Sequence, residues 1–193
     1  YFSSRVTNNL IRNEIQCLIQ MKKNNVAKKK IKEARKNGNI SEIKSILFEI
    51  EMLEIQGEHR EMQRKYISIL EKINNSGSNK VKGEVTSKMV ANQIKDRTYW
   101  KLIELSKKTN DSSEQFHWME RKYVHLKINN MKSEKWLGQE AQRLTKHAKE
   151  LEYWEKSYLF QRWAIEHFES AEDVDYDLSV SWKKAGEKAV EVA

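Results

Sequence analysis

The chain has 193 residues, no proline, six glycines, a single cysteine and a formal net charge of +8. Ordinary usage of about 5% would give roughly ten prolines, so their absence points to long helices joined by short polar connections. One cysteine excludes an intrachain disulfide or a multi-cysteine zinc site, and no apolar run approaches the ~18 residues of a membrane span.

The first predicted helix covers 3–23. Val6, Leu10, Ile11, Ile15, Leu18 and Ile19 recur on it at helical spacing. Cys17 lies inside that run, and a buried thiol is expected there rather than a nucleophile. The next helix, 25–37, has a narrow apolar stripe of Val26, Ala27, Ile31 and Ala34 and is cationic elsewhere. Residues 1–37 hold ten Lys or Arg against two Glu, whereas 38–193 hold 26 of each sign. Lys22, Lys23, Lys28, Lys29, Lys30, Lys32, Arg35 and Lys36 therefore form a candidate anion or nucleic-acid site. The alternative for this segment is a solvated helix face. Insertion into lipid is not expected, because no Trp, Phe or Leu lines its apolar side.

Asn37-Gly38-Asn39 stops the second helix and Ser41 is placed to cap the third, at 40–56. Ile43, Ile46, Leu47, Ile50 and Leu53 form its stripe, and Gln56-Gly57 punctuates its end. A fourth helix, 58–75, carries Met62, Tyr66, Ile69, Leu70 and Ile73. The Ser-, Asn- and Gly-rich stretch after it makes 76–83 the candidate subdomain boundary. Further helices are predicted at 84–108, 113–130, 132–149, 150–170 and 177–192. Thr109 to Ser113 is a break in which Ser112 or Ser113 is the expected cap, and Asn129-Asn130 is a softer one. No breaker stands at 149/150, so a single helix over 132–170 is an alternative. The domain reading is basic N-terminal helices at 1–37 and a helical array at 38–193. Without an initiator Met, and ending in a helix-like run, the chain reads as a fragment or processed form.

Two internal repetitions stand out. Met62-Gln-Arg-Lys-Tyr66 recurs as Met119-Glu-Arg-Lys-Tyr123. Trp100, Trp118, Trp136 and Trp154 fall at 18-residue intervals, which suggests helical hairpins recurring about every 36 residues, with these rings in the core. The stretch 44–75 resembles a tetratricopeptide repeat. Ile46, Ile50 and Leu53 match the apolar positions of its first helix, Gln56-Gly57-Glu58 its turn, and Tyr66 the large aromatic of its second helix. Ile50, Met62 and Ile69 stand where that family carries small residues, and its closing proline is missing. Similar stacks occur inside larger proteins, including the helical regions flanking lipid-kinase-like protein kinases. The resemblance implies an all-α fold of stacked hairpins, an α-solenoid, that binds a protein partner; a bundle of long helices is the alternative.

Catalytic patterns are absent from the sequence. Five scattered histidines make no His-Glu-x-x-His pair, Gly77 and Gly83 do not frame a phosphate loop, and no Gly-x-Ser-x-Gly occurs. Asp173, Asp175 and Asp177 begin like a calcium loop, but Leu178 and Lys184 stand where Gly and Glu are needed. No enzyme, metal or cofactor is expected. The expected function is a non-catalytic interaction module in an intracellular, cytoplasmic or nuclear, setting. Arg64, Lys65, Arg121 and Lys122, alike in repeat position, are the candidate contacts to a peptide or partner helix. Nucleic-acid binding through 22–36 and self-association through a coiled coil at 132–170 are the alternatives.

Overall fold

The structure is a computed structural model and describes residues 2–75 and 88–171. The predicted boundary at 76–83, the aspartates at 173–177 and the helix at 177–192 lie outside these residues. Every element among the described residues is a helix: α1 Phe2–Gln20, α2 Asn24–Lys36, α3 Glu42–Gln56, α4 His59–Asn75, α5 Lys88–Lys108, α6 Ser112–Ile128, α7 Glu134–Glu150 and α8 Trp154–Ser170. The single helix over 132–170 is not formed. A turn at 151–153 separates α7 from α8.

One turn geometry serves all six described connections other than the α4–α5 link. Each helix ends on a residue with positive φ: Lys22, Gly38, Gly57, Asn110, Asn130 and Glu152. The N–H of that residue donates to the carbonyl three residues back, and the next N–H donates five residues back. The pairs run from Lys22 to Ile19 and Lys23 to Leu18 in the first turn, through to Glu152 to Lys149 and Tyr153 to Ala148 in the last. This is the Schellman arrangement, which satisfies carbonyls that a helix end otherwise leaves unpaired. The helices that follow are capped by Ser41 on Lys44 N–H, Asp111 on Glu114 N–H and Ser133 on Trp136 N–H. Asp111 thus takes the capping role expected of Ser112 or Ser113, because its carboxylate stands three residues before a free amide.

The chain divides into two compact units, Tyr1–Thr98 and Tyr99–Ala193. In the first, α1 packs on α2 and α3, α2 on α3, and α3 on α4. Ile15 and Ile19 of α1, Ala27, Ile31 and Ala34 of α2, and Phe48 and Met52 of α3 share one core. α3 is buried on several faces, through Ile43, Ser45, Ile46, Phe48, Ile50 and Met52, because it has neighbours on both sides. Cys17 is exposed, not buried. Ile15 and Ile19 set the inward face of α1, and a residue two positions on projects to the opposite side. Val6 and Leu10 are exposed too, so the α1 stripe is buried only over its C-terminal half.

In the second unit α6 packs on α7 and α7 on α8. The core holds Phe116, Tyr123, Leu126, Leu137, Leu144, Phe160 and Phe168. Small residues recur along α7 at Gly138, Ala141, Thr145 and Ala148, all buried, opposite Ser157, Gln161, Ala164 and Phe168 of α8. This seam lets the two backbones approach closely. A Cβ on Gly138 would lie 2.7 Å from the Phe168 ring, so glycine is required there by space.

The tryptophans do not act as one set. Trp118 is buried and Trp136 packs at the edge of the core, whereas Trp100 and Trp154 are exposed. The helices α6, α7 and α8 begin at 112, 134 and 154, so they recur after 22 and 20 residues. An 18-residue spacing therefore slips toward the start of each successive helix, and the rings cannot be equivalent. The Met-Tyr repetition does carry structural meaning: Met62, Tyr66, Met119 and Tyr123 are all buried.

Candidate functional site

A groove of about 530 Å³ runs along α3 between α2 and α4. α2 contributes Lys28, Ile31, Lys32 and Arg35. Positions 28, 32 and 35 share a face because they are four and seven residues apart on a helix of 3.6 residues per turn. The floor comes from α3, with Ser45, Glu49, Met52 and Leu53, and the far wall from Glu61 and Lys65 of α4.

Ion pairs fix the walls to the floor. Glu42, at the start of α3, binds Arg35 of α2 at 2.7 Å and Lys72 of α4 at 2.9 Å. The Lys72 hydrogen bond is the main cause that holds the Glu42 carboxyl below its ordinary range, partly opposed by burial. Seven residues along, Glu49 binds Lys65. Lys28 and Lys32 have no acidic partner among the described residues, and both are exposed beside the apolar Ile31, Met52 and Leu53. The groove thus offers two unneutralised cations beside Leu53, the half-buried apolar residue of its floor.

The eight cations of 22–36 divide among several directions. Lys28, Lys32 and Arg35 line the groove, Lys30 binds Glu14 of α1 at 2.9 Å, and Lys22 and Lys23 form the turn before α2. Lys29 and Lys36 lie on a separate face of α2, seven residues apart. Among the four predicted contacts, Arg64 is exposed and pairs with Glu61 of the groove wall, and Lys65 lies in the groove. Arg121 and Lys122 belong to the second unit. The structure therefore joins one predicted partner contact, Lys65, to three residues of the predicted anion site. Sequence reading puts Leu53 in the apolar stripe of α3 but gives neither it nor Ser45 and Met52 a place in a site, because all three sit within a helix that is mostly core.

The second unit holds a polar relay, buried at Tyr123 and His167 and open at Glu134. The Tyr123 hydroxyl of α6 lies 2.7 Å from His167 Nε2 of α8, and His167 Nδ1 faces the Glu134 carboxylate of α7. A carboxylate accepts, so Nδ1 carries a proton toward Glu134, and Nε2 shares its hydrogen bond with the tyrosine hydroxyl. Tyr123 is fully buried, and that burial pushes its hydroxyl well above the ordinary value, with Glu134 and Glu166 pushing the same way. A hydroxyl so held stays protonated and has no open side for a substrate. What the relay does is tie α6, α7 and α8 together, with the buried Tyr123 and His167 satisfied and the exposed Glu134 closing it.

Among the described residues no cluster of three His, Cys, Asp or Glu is placed to hold a metal, and no helix is long and apolar enough to cross a membrane. The sequence matches no protein-family model and no curated protein, and the fold matches no solved structure.

Proposed function

We propose that this chain is a non-catalytic helical interaction module whose groove along α3 holds an acidic, amphipathic segment of a partner protein. The observation that carries this reading is the pairing of unneutralised Lys28 and Lys32 with Leu53, which stands half-buried at the groove beside the core residues Ile31 and Met52. Opposite charge on the rim steers and registers a partner, and Leu53 supplies the apolar contact. On this reading the helices form an array of hairpins, each described connection being a Schellman turn between neighbours in sequence, and the Tyr123–His167–Glu134 relay is structural. Nucleic-acid binding through 22–36 has less support. Its cations face several directions, two are engaged with Glu14 and Glu42, and Glu49 and Glu61 face the same groove. Phosphate binding favours a continuous cationic surface.

The test is fluorescence anisotropy with a labelled peptide bearing Glu at i and i+4 beside Leu. K28E/K32E is expected to weaken binding about tenfold, the sum of two screened surface pairs. L53N is expected to weaken peptide binding and to leave binding of a 20-base-pair duplex unchanged. Equal binding by wild type and K28E/K32E, or tighter binding of the duplex than of the peptide at physiological salt, removes the reading.

A further inference from the structure

A second hollow, of about 520 Å³, lies in the other unit where the turn before α8 meets the start of α6. Its aromatic lining comes from Phe116, Tyr153 and Trp154. The Phe116 and Tyr153 rings stand 5.6 Å apart at 59°, and the Tyr153 hydroxyl is fixed by a 2.8 Å hydrogen bond with Ser113. Tyr153 and Trp154 are 39% and 40% exposed, so ring surface remains available.

Lys156 already holds its ammonium 5.4 Å from the centre of the Phe116 ring, and the unpaired charge beside Tyr153 and Trp154 is negative. Glu152 and Glu155 line the hollow and have no cationic partner among the described residues. Lys156 is the one lysine of the lining, and Glu120 neutralises it at 2.7 Å. His117, also in the lining, is held below its ordinary value by partial desolvation and then by Arg121. Glu155 sits in the first turn of α8 and offsets the positive end of that helix.

Aromatic faces attract cations through their quadrupole, most strongly when the cation is weakly hydrated and the carboxylates stand nearby rather than in contact. A hollow of this size is far too large for a bare metal ion. We propose that it binds an organic cation, a methylated ammonium group, against Trp154 and Tyr153 with Glu152 and Glu155 supplying the charge. Glu152 adds a second sign. It occupies the left-handed backbone region at φ +60°, where four of the other five turns have Gly or Asn, so a carboxylate is kept at this rim against backbone preference.

The experiment uses the full chain and follows the Trp154 indole N–H by NMR, assigned by its loss in W154L. Choline and tetramethylammonium are expected to shift it saturably in the millimolar range, and the uncharged isostere 3,3-dimethylbutanol to bind about fivefold more weakly. E152G and E155Q are each expected to weaken choline binding and leave the isostere unchanged. E152G also relieves the backbone, so lost binding there cannot be ascribed to unfolding. N-trimethyllysine amide and phosphocholine distinguish the source: tighter binding of the first indicates a methylated protein, of the second a lipid headgroup. Equal binding of choline and the isostere overturns the proposal. So does a shift by inorganic phosphate with none by tetramethylammonium, which would mark an anion at the start of α8.

Discussion

Lys22 and Glu152 hold a backbone conformation that costs an L-residue about 1–2 kcal/mol, whereas Gly38 and Gly57 hold it freely. Glycine adds chain entropy to the unfolded state, which offsets part of the gain. K22G and E152G are each expected to raise stability by about 0.5–1 kcal/mol in urea melts, and K22A to give no such gain. The Gly and Asn stops were legible in the sequence, since those residues favour the left-handed region. Lys22 and Glu152 were not, because there the geometry is imposed by the helices on either side. That is why the 149/150 junction read equally well as continuous helix.

The α3–α4 hairpin is an element whose register is readable once its turn is known. Glu42 and Lys72 lie fifteen residues either side of Gly57, and Glu49 and Lys65 lie eight either side. An antiparallel pair centred on Gly57 brings both ion pairs together. The carboxyl of Glu42 is held low by Lys72, so its contribution is present above its ordinary value of 4.5 and is lost as pH falls through the depressed folded value. E42Q is expected to cost about 0.5–1 kcal/mol at pH 7, reduced by salt because the pairs are half-exposed. That difference should shrink in melts as pH is lowered below 4.5. Helical periodicity found α3 and α4 but not the groove, which depends on α2 and α4 standing apart over one face of α3.

At the scale of the molecule, charge and core are not separable. The first 37 residues hold all the excess positive charge, yet Ile15, Ile19, Ala27, Ile31 and Ala34 complete the core around Phe48 and Met52. Three buried isoleucines alone account for about 5–9 kcal/mol, comparable with the whole stability of a domain. A chain of 38–193 is therefore expected to lose cooperative melting of its first unit by circular dichroism, not merely its basic segment. Tests of the basic residues call for point substitutions such as K28E/K32E. The sequence made the excess of charge plain; that α1 and α2 are also core was visible only in part, since half of the α1 stripe turns out to face solvent.

The six turns each spend two successive backbone N–H groups on carbonyls of the helix just ended. Proline has no N–H and cannot take up positive φ, so no connection of this kind accepts it at either position. The consequence appears in time rather than in structure. A chain with no proline at all carries no slow prolyl isomers when unfolded. Double-jump refolding should give the same amplitudes whether the chain has been unfolded for one second or one hour, and a prolyl isomerase should change nothing.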